Sequence, residues 1–155
     1  MYRKLLVSYK GTETSRSVLD ECIRLAPGPS AEIHLLLVIE PDPPILVGEH
    51  AECWMVTHED VLADRKSIMN ALSEAHALLR DAGLNVISHL EVGEPVSVIA
   101  EMAHKLGIDL VIVGRSGHKS PWWSRTKNDW LIEKVGSTCL IASDALLSRA
   151  SRLSA

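Results

Sequence analysis

The sequence predicts an α/β protein built on one five-stranded parallel sheet with helices on both faces. Three observations predict it. Short, nearly continuous apolar runs recur at 4–9, 31–40, 109–114 and 137–143. Segments with helical periodicity stand between them. Gly or Pro punctuates most junctions. Strands that alternate with helices imply parallel pairing and right-handed crossovers. Apolar runs without polar alternation suit strands buried on both faces.

"KLLVSY" (4–9) is the first strand, ending before Gly11. A helix follows, with Val18, Leu19, Cys22, Ile23 and Ala26 on one stripe. Thr12 or Thr14 can cap it, and Pro27-Gly28 stops it. "AEIHLLLVIE" (31–40) is the second strand. Three prolines within 41–44 forbid regular structure there. The second helix runs from about Glu59 to Asp81, with Leu62, Ile68 or Met69, Leu72, Ala75 and Leu79 facing inward. "NVISHLEV" (85–92) is the third strand. Pro95 sits in the first turn of a third helix that buries Val98, Ile99, Met102 and Leu106 and ends at Gly107. "DLVIVG" (109–114) is the fourth strand, a short helix falls around 129–135, and "STCLIAS" (137–143) is the fifth. Residues 1–143 thus form one domain. The tail 144–155 suits either a short amphipathic helix or a frayed end.

Composition narrows the function. A net charge of −4 argues against general nucleic-acid binding, which needs a basic surface. No apolar stretch reaches the length of a membrane span. The start carries no secretory h-region, and the three cysteines form no CxxC, so a reducing, cytoplasmic setting is expected.

In open parallel sheets, ligands bind beyond the carboxyl ends of the strands, where strand order reverses. Those ends carry "SYKGT", "VIEPD" and "GRSGHK". The residues around them resemble the universal stress protein family over roughly 1–142. "VGEPVSVIAEMAHKLGIDLVIVGRSG" carries most of the resemblance, with "YRKLLVSYKGTETSRSVLDECIRLA", "AEIHLLLVIEP" and "EKVGSTCLIAS" beside it. The resemblance implies strand order 3-2-1-4-5, an adenine nucleotide alpha hydrolase-like fold and a homodimer. It also implies a stress-response role, in which some members bind ATP and others do not. A nucleotide or anion site would then fall on Lys10, Val38, Val113, Gly114, Arg115, Ser116, Gly117 and His118.

The chain departs from the ATP-binding pattern in two places. Binders carry an Asp at the end of the first strand; here it is Lys10. Binders continue G-x2-G-x9-G-[S/T] after the fourth strand. Gly114 and Gly117 supply the first half, but nine residues on lie Lys127-Asn128, and counting back from 133–135 gives Asp129-Trp130. The missing glycine would have let backbone N–H groups approach phosphate oxygens, and Asp129 at a helix start would repel a triphosphate. Against this, Arg115, His118, Lys119, Arg125 and Lys127 make the loop cationic. Three uses fit such a loop: simple solubility, an anion or nucleotide such as ATP or AMP, and a protein partner.

Trp122 and Trp123 follow Pro121 in this loop. Large aromatics usually pack, so one ring would cover the sheet end while the other faces solvent or a dimer mate. The alternative is a stacking platform or an unidentified protein partner's hot spot. His50, Cys53 and His58 have ligand chemistry for zinc, but their spacing matches no standard zinc pattern, and an exposed polar loop explains them as well. There is no G-x-S-x-G elbow and no Walker A motif. Ser116 and His118 lack a third orienting group, and His34, His76, His89 and His104 read as packing or surface residues. The expectation is a protein without catalytic turnover, acting as a dimeric sensor or adaptor; nucleotide binding and a weak ATPase are the rivals. Strand five would be a sheet edge, which invites pairing through Cys139, Leu140, Ile141 and Ala142.

Overall fold

The computed structural model describes residues 1–11, 15–25, 28–40, 58–114 and 131–142, with the side chains of the second helix described from residue 65. The elements are β1 (Lys4–Tyr9), α1 (Arg16–Leu25), β2 (Glu32–Ile39), α2 (His58–Asp81), β3 (Asn85–Val92), α3 (Pro95–Leu106), β4 (Leu110–Gly114) and β5 (Thr138–Ala142). A helical segment at 131–135 precedes β5. The sheet is parallel, in the order β3-β2-β1-β4-β5. The caps at Thr12 and Thr14, the proline-rich stretch 41–44 and the tail 144–155 lie outside the described residues.

Side-chain alternation along each strand divides the core into two layers. Leu5 and Val7 of β1, Ile33, Leu35 and Leu37 of β2, and Leu110 and Ile112 of β4 pack with α1 and α2. Leu6, Leu36, Val111 and Val113 pack on the other face with α3 and with Leu131 and Val135. The continuous apolar runs are therefore strands covered on both sides, as their lack of polar alternation predicts. Fully burying each leucine contributes about 1.5–3 kcal/mol, so the three central strands dominate stability.

Of the two candidates for the inward stripe of α2, Ile68 packs against the core, while Met69 is 52 % exposed. The difference follows from helical phase: Leu72, Ala75 and Leu79 set the buried direction, and Ile68 lies four residues before Leu72. The third helix has a cap that the sequence reading missed. The Glu94 carboxylate accepts from the backbone N–H groups of Val96 (3.2 Å) and Ser97 (2.8 Å). Its far end closes on Gly107 at φ 64°, the left-handed conformation that suits glycine.

The amino ends of β1 and β4 are fastened by one carboxylate. Asp109 accepts from Arg3 N–H (2.9 Å) and Lys4 N–H (3.0 Å), and its own N–H donates to the Lys4 carbonyl (2.8 Å). Ser137 donates to the Ile108 carbonyl (2.8 Å), and His104 Nε2 donates to the Lys134 carbonyl (2.9 Å). These bonds anchor the end of the sheet opposite the carboxyl ends of the strands. Among the described residues, no helix is long and apolar enough to cross a membrane.

Candidate functional site

The strand order reverses between β1 and β4. From β1 the chain runs outward to β2 and β3, then returns to the other side for β4 and β5. The crossovers at this point leave in opposite directions, and it is at such a point, beyond the carboxyl ends of β1 and β4, that open α/β sheets form their ligand crevice. Ser8 pairs with Val113, so Lys10 and Gly114 both lie just beyond that last paired step.

The described members of the candidate set gather around this crevice. Lys10 is exposed at the end of β1. Val113 is buried, and Val38 packs half-buried against the same layer. Gly114 ends β4 against α1, where a Cβ would lie 3.1 Å from Val18 Cγ2. Arg115, Ser116, Gly117 and His118 lie outside the described residues, as do Trp122, Trp123, His50 and Cys53. His58 is the first residue of α2, and its side chain lies outside the described part. Among the described residues, no group of three or more His, Cys, Asp or Glu side chains could hold a metal ion.

Sequence reading missed four residues near the crevice. Ser8 is half-buried in β1, between Leu36 of β2 and Val113 of β4, one step below the rim. It places a hydroxyl in an otherwise apolar row. Tyr9 packs toward the α1–α2 layer. Burial first, and then the Glu74 carboxylate, push its phenol pKa up, while Arg16 pulls it the other way. Tyr9 therefore stays neutral as a phenol, and Arg16 brings a cation to the start of α1. The alternation of "KLLVSYK" could have assigned Ser8 to the α3 face. The approach of Glu74 and Arg16 depends on tertiary packing and left no local signal.

The described cysteines take no part in this site. Cys22 is fully buried in α1, and burial pushes its thiol up to about 12, so it is inert as a nucleophile. Cys139 is half-buried in β5, less enclosed than its apolar run suggests, and burial also raises its thiol pKa.

Comparison with known proteins agrees with this geometry. The family model described as "Universal stress protein family" matches residues 1–137. A universal stress protein of Methanocaldococcus jannaschii is 25 % identical over 118 residues, covering 76 % of this chain, and the chain spans 66 % of that relative's length. A universal stress protein solved in complex with cAMP superposes with a TM-score of 0.68 at 19 % identity, covering 92 % of this chain and 97 % of that one. The universal stress protein from Archaeoglobus fulgidus in complex with dAMP gives a TM-score of 0.61 at 17 % identity, covering 90 % and 97 %. A universal stress protein family member from Arabidopsis thaliana with AMP bound gives 0.60 at 14 % identity, covering 91 % of each chain. Strand order and a family match over most of the chain agree: the chain belongs to the universal stress protein family.

Proposed function

We propose that this chain is a non-enzymatic stress-response protein of the cytoplasm, a dimeric sensor or adaptor with a modified adenine-nucleotide site. The observation that carries this reading is the crevice between β1 and β4, with exposed Lys10 and the strand-ending Gly114 beside it. A lysine here favours a phosphate at close range, whereas the missing second Gly-[S/T] removes backbone donors that a longer phosphate chain needs. The site is therefore better suited to a nucleoside monophosphate than to ATP. The solved relatives in complex with cAMP, dAMP and AMP, each a ligand with one phosphate, support that choice. Trp122 and Trp123 would then serve a protein partner or the base of the nucleotide.

Titration calorimetry with AMP, cAMP, ATP and sulfate tests the reading. Micromolar binding of a monophosphate, weaker binding of ATP and a loss of affinity in Lys10→Ala are the expected results. Tighter binding of ATP would favour an ordinary ATP-binding member. Absence of nucleotide binding would leave an adaptor without a ligand. Phosphate release from ATP above background would support a weak ATPase instead. The dimer is proposed across β5, where Ile141 is 40 % exposed on the edge strand.

A further inference from the structure

His34 is 3 % exposed in β2, a strand whose other inward residues are apolar. Its Nε2–H donates to Glu32 Oε1 at 2.6 Å, because a carboxylate can only accept. A neutral His34 then has a lone pair at Nδ1, which accepts from His89 Nε2–H at 2.9 Å. The two rings lie 5.1 Å apart at 27°. His89 belongs to β3, the edge strand, so this bond ties the edge to β2 by side chains as well as backbone. On the other face of β3, the Ser88 hydroxyl and His76 Nδ1 of α2 share a hydrogen bond of 2.6 Å. Consecutive residues of the edge strand, Ser88 and His89, are thus each held by an imidazole from a neighbouring element.

Protons act unevenly on this chain. One added proton can be shared between the rings, with Glu32 balancing its charge. A second puts two cations within hydrogen-bonding distance and removes the accepting lone pair. The titratable and charged groups that act on His89 are His34 from β2, Glu91 from β3 and Lys105 from α3, while Glu32 of β2 bonds the far nitrogen of His34. Burial opposes its protonation most, His34 and Lys105 add to that, and Glu91 works against them, so its pKa is lowered.

We propose that the Glu32–His34–His89 chain makes β3 an acid-released edge strand: full protonation of the histidine pair loosens β3 from β2 and leaves the crevice at β1 and β4 intact. Ile87, Leu90 and Val92, already 41 %, 38 % and 66 % exposed, would become more accessible with it.

Amide hydrogen exchange over 85–92 in the whole chain, at about pH 7.5 and about pH 5, tests this after correction for intrinsic exchange. Protection of β3 should fall about tenfold relative to β1 and β4, the effect of losing one hydrogen bond of ordinary net strength. His89→Gln keeps a donor for His34 but does not titrate, so it should abolish the fall. An equal pH response in β1 and β3, or a fall that persists in His89→Gln, would overturn the proposal. If the variant does not fold, NMR titration of both imidazoles in the unmodified chain decides. Two separated protonation steps, the lower accompanied by shifts in the β3 amides, support the device. Independent titration of both rings near the ordinary histidine value, with still β3 amides, rejects it.

Discussion

Val18 Cγ2 occupies the space that a side chain on Gly114 would need: a Cβ built there lies 3.1 Å from it. Val18 is fully buried in α1, between the helix and the sheet, and has little room to move. The first glycine of the phosphate-type motif is therefore favoured by the seating of α1 on β4, whether or not a phosphate binds.

Gly114→Ala should accordingly destabilise the fold while leaving its architecture unchanged. Overpacking a core contact costs about 1–3 kcal/mol, and the loss of glycine's unfolded-state freedom returns about 0.4–1 kcal/mol. The net expectation is a loss of about 1 kcal/mol, read as a lower urea midpoint at unchanged slope. Val18→Ala in the same background should make the alanine at 114 less costly, through relief of that contact. Equal penalties for Gly114→Ala with and without Val18→Ala would show that the two residues are not coupled.

These two residues also show how far the sequence was legible. The apolar runs of β1, β2 and β4 predicted their own burial, because strands covered on both faces have no polar alternation to confuse the reading. The parallel sheet followed from the order of elements, and the strand order from resemblance. Gly114 was visible as half of a motif, but its contact with Val18 is a tertiary fact with no local trace. The same holds for Tyr9 with Glu74 and Arg16. His34 read as an ordinary packing histidine. Its link to His89 depends on the β2–β3 register, in which His34 lies opposite Ile87 and reaches the residue two further along β3.

Glu94, by contrast, is a local feature recognised only in the structure. It caps α3 with a carboxylate that accepts two backbone N–H groups, at a position where Ser, Thr, Asp or Asn is more usual. Glu94→Ala should cost about 1 kcal/mol, the ordinary value of a lost cap. Glu94→Asp should recover much of it. Thermal melts of the three proteins check this, and an unchanged midpoint in Glu94→Ala would mean that water replaces the cap without loss.

The edge at β5 gives a prediction about assembly. Ile141 is partly exposed there, whereas Ala142 is buried and Leu140 packs against the core. Ile141 is thus the apolar residue in this strand that can change an interface with least harm to the fold. Ile141→Lys places a charge on an exposed edge, a device that blocks strand pairing. Light scattering at micromolar concentration should give a dimer for the unmodified chain and half that mass for the variant. A monomer in both would remove the proposed dimer, and a dimer in both would move it elsewhere on the surface.

Asp109 sets the acid limit at the far end of the sheet. The N–H groups of Arg3 and Lys4 both donate to its carboxylate and hold its pKa below the ordinary 3.8, with the charges of those two side chains adding to the effect. A group with a lowered folded pKa binds fewer protons in the native state than in the unfolded one. Stability therefore rises with pH through this window. The contribution of Asp109 is complete above its unfolded value and is lost as pH falls through the lower folded one. Asp109→Asn removes the charge but keeps an accepting oxygen. Its urea midpoint should lie below that of the unmodified chain by a constant amount above about pH 5, and the two curves should draw together on further acidification. Parallel curves down to the acid transition would show that the carboxylate's charge contributes nothing there, and that Asp109 holds β1 to β4 by hydrogen bonding alone.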